Sequence, residues 1–288
     1  MRQMLFLAAG VLFLAFFGVG KVCAATDKAN PVFRSKVGTF EVYALSERQS
    51  EGSLSILIDA SSRDIEKYVS SGSYPTAVNT FLVRTKDGAI LIDAGLGEKL
   101  EGNLKSIGLS PDDIGTILIT HSHGDHIGGL VKNGSPAFPK AKVYISKAEF
   151  SWSPQVRRSL SAYAGCVSQF DPGNLADSGL EIMEGIRAIQ AYGHTPGHTI
   201  FLIESAGERL LVWGDLTHAM AIQMPRPDIS VTYDSDPVRA AAIRKEVLKF
   251  VTDGKVPVAG MHVAYPAIGN IERDLEVAEG YKFIPSAE

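Results

Sequence analysis

Cysteine is nearly absent from this chain, with only Cys23 and Cys166 among 288 residues. Cys23 lies next to an N-terminal apolar run, so a chain that has shed that run keeps one thiol. An intrachain disulfide is then excluded, and stability has to come from the core. Cys166, in "AYAGCVSQF", reads as a small, partly buried apolar residue. No basic block with interleaved aromatics occurs, and the net charge of −4 gives no reason to expect nucleic acid or an anionic membrane as a partner. No Gly-x-Ser-x-Gly elbow is present, so nothing announces a serine nucleophile. A fixed repeat and a low-complexity tail are missing too. What remains, 45% hydrophobic and 21% charged, is an ordinary globular composition with ample material for a core.

The N-terminus is different in kind. Arg2 precedes an uncharged apolar run from Met4 to Gly20, followed by "KVCAAT". This is the layout of a secretory signal with cleavage after Ala24 or Ala25, so residues 1–25 are read as the signal and 26–288 as one domain. The run falls short of the roughly 20 residues that comfortably span a bilayer, which favours cleavage over a retained anchor. Val22 before Cys23 argues against lipid attachment, and Gln3 after Arg2 against a twin-arginine signal. A periplasmic or secreted location is expected.

Along the rest of the chain, strand-like apolar runs alternate with shorter helical ones. A short helix is predicted over Ser61–Ser70 and a hairpin turn at Lys86-Asp87-Gly88. Residues 98–107 read as a helix, and "IGGLV" as the start of another. "DSDPVRAAAIRKEVLKFVTDGK" reads as a helix capped by Asp236 before Pro237 and closed by Gly254. Residues 151–179 have weak periodicity and read as an insertion or cap. A short helix is expected to close the chain. Interleaved strands and helices imply a layered α/β body.

The chain has seven histidines, and three fall in "ILITHSHGDHIGGL". The apolar strand "GTILIT" delivers His121 and His123 at i and i+2, which point the same way in extended chain. Gly124 then lets the backbone turn, presenting Asp125 and His126. The segment can offer two imidazoles to one metal and an Asp and a His to a second. "YGHTPGHTIFLIE" places His194 and His198 on a turn, "LLVWGDL" ends a strand with Asp215, and "VAGMHVAYP" ends another with His262. Sites in α/β sheets form at the carboxyl ends of strands, and these candidates gather there. Imidazoles and carboxylates without a thiolate suit zinc.

His121-Ser122-His123-Gly124-Asp125-His126, with His198, Asp215 and His262 in this order, resembles the metallo-β-lactamase superfamily. The resemblance implies a four-layer αββα sandwich holding two divalent metal ions, Zn2+ above all. It puts His121, His123 and His198 on the first metal, and Asp125, His126 and His262 on the second. Asp215 would bridge them. Asp93, in "GAILIDAGLG", matches a further family position, where it would orient a ligating imidazole from behind. His194 is expected beside the site, orienting its loop. His218, three residues past Asp215, lies either in the cleft lining or on the surface.

Within the superfamily, "GHTPGHT", "GDL", "AIQMPRPDISVTYDSD" and "YPAIGNI…EGYKFIP" resemble the branch of methyl parathion hydrolase and lactonase-like members. That branch implies an exported hydrolase attacking an ester, lactone or phosphotriester with a metal-bridging hydroxide, Asp125 and Asp215 being the catalytic carboxylates. The alternatives are a glyoxalase II-like thioesterase, a β-lactamase-like amidase, and a non-enzymatic periplasmic metal-binding protein. Asp215 argues against a true β-lactamase, and the short stretch after His262 against the thioesterase's extra domain. The segment 151–179 departs from the parathion hydrolase pattern. It is expected to roof the cleft, with Trp152 as the aromatic wall and Tyr163 and Phe170 as weaker candidates. The expected partner is a small-molecule substrate, with a homodimer left open and no membrane once the signal is cleaved.

Overall fold

The computed structural model describes residues 32–287, so the expected signal and cleavage site lie outside the described residues. Two seven-stranded sheets pack face to face. The first runs, in spatial order, Val32–Val37, Phe40–Ser53, Ser73–Thr85, Gly88–Ile92, Ile114–Leu118, Lys142–Ser146 and Val167–Phe170. The second runs Leu180–Met183, Ile186–Gln190, Thr199–Ser205, Glu208–Val212, Val258–Ala259, Ile268–Arg273 and Tyr281–Pro285. Each sheet starts as an antiparallel meander. The first turns parallel from Gly88–Ile92 onward, and the second has one parallel pair, Glu208–Val212 with Val258–Ala259.

Side chains alternate across each strand, and both faces of these sheets are apolar because both are covered. Val42, Phe81, Val83, Ile90 and Ile92 face Phe201, Ile203 and Val212 in the central layer between the sheets. Their neighbours Leu45, Leu82 and Leu91 point outward against Leu100, Leu104, Val156 and Leu160 of the helices Leu100–Ser106 and Pro154–Leu160. On the opposite outer face, Leu202, Leu211 and Trp213 pack on Val247, Leu248 and Val251 of the helix Pro237–Asp253. The order is helix, sheet, sheet, helix, the αββα sandwich. Burying each such side chain fully is worth about 1.5–3 kcal/mol, which explains how the domain dispenses with disulfides.

The helix Pro237–Asp253 begins and ends where the sequence places it. The Asp236 carboxylate accepts the Arg239 N–H at 3.0 Å, Pro237 opens the first turn, and Gly254 closes the last. The short helix Ser62–Tyr68 carries a reciprocal cap between Ser61 and Asp64. Four expectations are corrected. Residues 151–179 are not an insertion: they supply the helix Pro154–Leu160 and the edge strand Val167–Phe170, paired parallel with Lys142–Ser146. "IGGLV" does not start a helix, since Gly124–Ile127 is one helical turn and Gly128–Leu130 a 3-10 turn. The chain closes on the hairpin Ile268–Arg273 and Tyr281–Pro285, because cross-strand pairing there outweighs local helical preference. Cys166 is exposed rather than partly buried. Among the described residues, no helix is long and apolar enough to cross a membrane.

Candidate metal centre

The site lies at the carboxyl ends of the parallel strands of both sheets. The strand Gly88–Ile92 runs directly into Asp93, which is fully buried and held at a positive φ of 59°. Its Oδ1 accepts the Thr120 N–H at 2.8 Å, and its Oδ2 accepts the Thr120 hydroxyl at 2.6 Å. The same Oδ2 lies 2.7 Å from His126 Nδ1. Asp93 therefore anchors the start of the histidine loop and holds the His126 ring from behind.

Three other rings are fixed from behind in the same manner. His194 Nδ1 faces Asp234 Oδ1 at 2.9 Å. His262 Nδ1 faces the Ala77 carbonyl at 2.8 Å, and His121 Nδ1 the Thr120 hydroxyl oxygen at 3.1 Å. Carbonyl and carboxylate oxygens can only accept, so the outer nitrogens of His126, His194 and His262 carry the protons. The Thr120 hydroxyl already donates to Asp93, which makes it the acceptor for His121. In the neutral form of each ring the inward Nε2 then carries the lone pair, and without a metal ion the Asp215 carboxylate draws a proton onto those that face it most closely, as at His262 and His126.

The inward nitrogens converge. His123 Nδ1 lies 3.1 Å from His121 Nε2 and 2.9 Å from His194 Nε2. Asp215 Oδ2 lies 3.5 Å from His121 Nε2 and 3.3 Å from His194 Nε2. The other oxygen, Oδ1, lies 3.1 Å from His126 Nε2. His262 Nε2 sits 3.0 Å from Asp215 Oδ2 and 3.5 Å from Asp125 Oδ2. Two donor groups result, His121–His123–His194–Asp215 and Asp125–His126–His262, with a third, Asp215–His218–His262, sharing Asp215 with the first and His262 with the second; the atoms of each lie within 4.8 Å of one another. Asp215 stands between the first two, its Oδ2 against His121, His194 and His262 and its Oδ1 against His126.

Inward nitrogens and carboxylate oxygens packed this closely need positive charge among them, either protons on the imidazoles or metal cations. His126 Nε2 and Asp215 Oδ1 are buried without a hydrogen-bond partner, which marks the same gap. The donors are imidazole nitrogens and carboxylate oxygens, the set that zinc takes in open sites. Burial holds His121 well below the ordinary imidazole pKa, and it brings His123 down to about 4. Burial also opposes charge on His126, yet Asp215, Asp93 and Asp125 together carry it well above its ordinary value. His194 likewise rises to about 9 against its burial, through Asp215 and Asp234. The carboxylates therefore create a negative field that draws positive charge to this point. The residues fit a pair of divalent cations.

One predicted ligand is corrected. His198 Nδ1 donates to the Ala191 carbonyl at 3.0 Å, and its Nε2 accepts the Asp215 N–H at 3.1 Å. Both nitrogens are spent on backbone, and burial brings its pKa down to about 3. His198 positions Asp215, and His194 takes the ligand place. The neighbouring Gly214 is required here: it has φ +55°, and a Cβ would lie 2.4 Å from His198 Nε2. The strand-end rule itself distinguishes the two histidines. His194 follows the carboxyl end of Ile186–Gln190, whereas His198 precedes the amino end of Thr199–Ser205.

Behind His194, Asp234 lies 3.7 Å from the guanidinium of Arg244, which is 1% exposed. Arg244 donates to the carbonyls of Leu216, Pro227 and Ile229, so the main helix of the second sheet supports the site. From the first sheet, the Asn79 amide donates to the carbonyls of Gly260, Met261 and Val263 at 3.1, 3.0 and 2.8 Å, gripping the loop that carries His262. Asp234, Arg244 and Asn79 escape a sequence reading because none stands in a histidine motif.

The centre opens into a cleft of about 500 Å³. His218 lines it, with Nε2 3.1 Å from Asp215 Oδ2 and Nδ1 buried without a partner. The walls are Ile56, Tyr74, Val78 and Tyr233. The expected roof from 151–179 is corrected: Trp152 is 44% exposed outside the cleft lining, and Tyr163 and Phe170 are buried in the core. The Tyr163 hydroxyl donates to the Leu130 carbonyl, which ties that segment to the body of the sandwich.

Residues 73–262 match the sequence profile described as the metallo-beta-lactamase superfamily. An N-acyl homoserine lactonase from a Bacillus species is 26% identical over 151 residues, which is 43% of this chain and 57% of that relative. The chain thus matches little more than half the length of this curated relative. The crystal structure of AbOPH, a hydrolase in the beta lactamase superfamily, superposes with a TM-score of 0.81 at 25% identity, covering 89% of this chain and 98% of that one. AidC, a dizinc quorum-quenching lactonase in complex with a product, superposes at 0.80 and 26% identity, covering 91% and 99%.

Proposed function

Because the chain belongs to the metallo-beta-lactamase superfamily, we propose that it is an exported, dinuclear metal-dependent hydrolase of uncharged esters and lactones, with phosphotriesters as a side activity. The observation that carries this reading is Asp215, whose Oδ1 faces His126 and whose Oδ2 faces His121, His194 and His262, so that one carboxylate touches both donor groups at the floor of an open cleft. A storage site closes its coordination sphere, whereas this one gives onto space for a substrate. The similarity to AidC and AbOPH supports the same reaction class. The N-terminal apolar run supports export, and a mature chain starting near Ala25 in the periplasmic fraction is the corresponding mass measurement.

Two bound divalent cations would supply Lewis acidity and bring the pKa of water to around 7. The residues do the rest. His121, His123, His194, His126 and His262 hold the centre, each except His123 locked in one tautomer by the acceptor behind it. Asp125 has a side chain 31% exposed, the most accessible carboxylate of the set. His126 and His262 outweigh its burial and keep its pKa below the ordinary value, so it is ionised at neutral pH. It is placed to take the proton of the attacking water and return it to the leaving oxygen. Ile56, Tyr74, Val78 and Tyr233 offer an apolar and aromatic wall for an acyl or aryl arm. Arg48 is the one arginine or lysine lining the mouth among the described residues, and it is paired with Glu98 at 3.1 Å.

The test is a panel of lactones, aryl esters, phosphotriesters, β-lactams and thioesters on zinc-replete protein. Lactones or aryl esters should be cleaved best, chelation should abolish turnover and added zinc restore it. Turnover of β-lactams or thioesters alone would overturn the substrate class, and no turnover at all would favour a metal-binding protein.

A further inference from the structure

Among the described residues, Glu149 is the one fully buried carboxylate outside the site whose oxygens face two ligand-bearing loops at once. It sits in the first turn of the helix Lys147–Trp152, where its own N–H is capped by the Ser146 hydroxyl at 3.1 Å. Its Oε1 accepts the Ser122 N–H at 2.8 Å and the Ser122 hydroxyl. Its Oε2 accepts the Thr195 hydroxyl at 2.6 Å and the Gly197 N–H at 3.1 Å. Ser122 lies between His121 and His123, and Thr195 follows His194. One side chain thus ties together the two loops that supply all three imidazoles of the first donor group.

The packing around it leaves little slack. A Cβ on Gly197 would lie 2.1 Å from the Glu149 nitrogen, so the two backbones are in direct contact. The Ser146 hydroxyl that caps Glu149 also donates to the Gly197 carbonyl at 2.8 Å. No salt bridge involves Glu149 among the described residues, so the carboxylate is matched to hydrogen-bond donors alone. The second donor group, Asp125–His126–His262, is held by other means, namely Asp93 and the Ala77 carbonyl.

We infer that Glu149 is the positioning residue of the first metal site, fixing the separation between the His121–His123 loop and the His194 loop. This rests on the dinuclear reading above. Only a carboxylate meets the geometry, because a backbone N–H must be accepted at each end. In Glu149→Gln one end becomes an NH2 group, which cannot accept the N–H of Ser122 or Gly197, and one loop loses its anchor. Glu149→Asp is too short to reach both. A partner behind the ligands typically changes metal affinity by about 10–100-fold.

The experiment is a titration of the metal-free mature protein with Co2+, followed by d–d absorption and by elemental analysis after gel filtration. Thermal unfolding of the metal-free forms is measured in parallel. Wild type should bind two ions tightly. Glu149→Gln should keep one and lose about 10–100-fold in affinity for the other. The lost ion is identified by combining Glu149→Gln with His262→Ala, which should remove both. Thr195→Val, which deletes one donor and spares the acceptor, should weaken the same ion by a smaller factor and settles the matter if Glu149→Gln fails to fold. Wild-type affinity for both ions in the folded variants overturns the inference. Equal weakening of both ions with a lowered Tm also overturns it, since that is a general structural role. If wild type itself binds fewer than two ions, the dinuclear reading fails and the inference with it.

Discussion

At the floor of the cleft, His126, His194, His262 and His121 each have the outer nitrogen held by a named acceptor and the inner one free to point inward. Along the wall, Ile56, Tyr74, Val78 and Tyr233 come from distant stretches of chain, and Tyr233 is 53% exposed. The floor is fixed by hydrogen bonds on both sheets. The wall is fixed by shape, largely through the arm formed where Arg48–Ser53 pairs with Ser73–Val78. The difference teaches which changes this molecule should feel as loss of chemistry and which as loss of fit.

The largest effect should come from Asp215→Asn. It removes the charge between the two donor groups without changing volume, so turnover should fall by more than the roughly 10–100-fold typical of a partner behind the ligands. The metal content should drop from about two ions while circular dichroism stays native. A variant with wild-type turnover and two ions would show that the floor does not depend on this carboxylate.

Next in size is the contrast between the two histidines of "GHTPGHT". His194→Ala removes a ligand and should abolish tight binding of the first ion. His198→Ala removes only the ring that accepts the Asp215 N–H, and should cost about 10–100-fold in affinity. Elemental analysis of both variants decides the order, and the reverse order would return His198 to the ligand set.

The wall should respond differently. Tyr233→Ala and Tyr74→Ala should raise KM for aryl esters or long-chain lactones by up to about tenfold with little change in kcat, the pattern of lost uniform binding. A fall in kcat at constant KM would put these tyrosines in the chemistry instead. The smallest effect belongs to Trp152→Ala, which stands outside the cleft. It should leave kcat/KM unchanged and stability within about 0.5 kcal/mol, as at an ordinary surface position.

The floor was legible in the sequence because it is local. His121, His123, Asp125 and His126 lie within one turn after one strand, and Asp215 and His262 each follow a short apolar run. Their residue types alone report the chemistry. The confusion of His194 with His198 arose because a turn brings both near the site, and only the ends of the flanking strands tell which ring faces in. The alternation of apolar strands with helices implies a layered α/β body, and the αββα order comes only with the family resemblance that the histidine motif carries. The wall was not legible, since the distance from Tyr74 to Tyr233 is set by sheet pairing and by the loop that Asp234 and Arg244 secure. The segment 151–179 looked irregular, yet Val156, Leu160 and Tyr163 recur at helical spacing and all three are buried. That signal was present and short. The closing hairpin had no comparable local cue.

The grip of Asn79 on Gly260, Met261 and Val263 has a consequence for motion. These bonds run from one sheet to the loop of the other without passing through any ligand nitrogen. With the Ala77–His262 bond beside them, they keep the halves in register whether or not ions are bound. The Gly260 and Val263 amides, which donate to the Ala267 and Gly260 carbonyls, should then exchange with deuterium only through global opening. A chain stitched in this way can give up its ions and take them back as a folded body, so that reloading is a matter of diffusion into a waiting socket rather than of refolding.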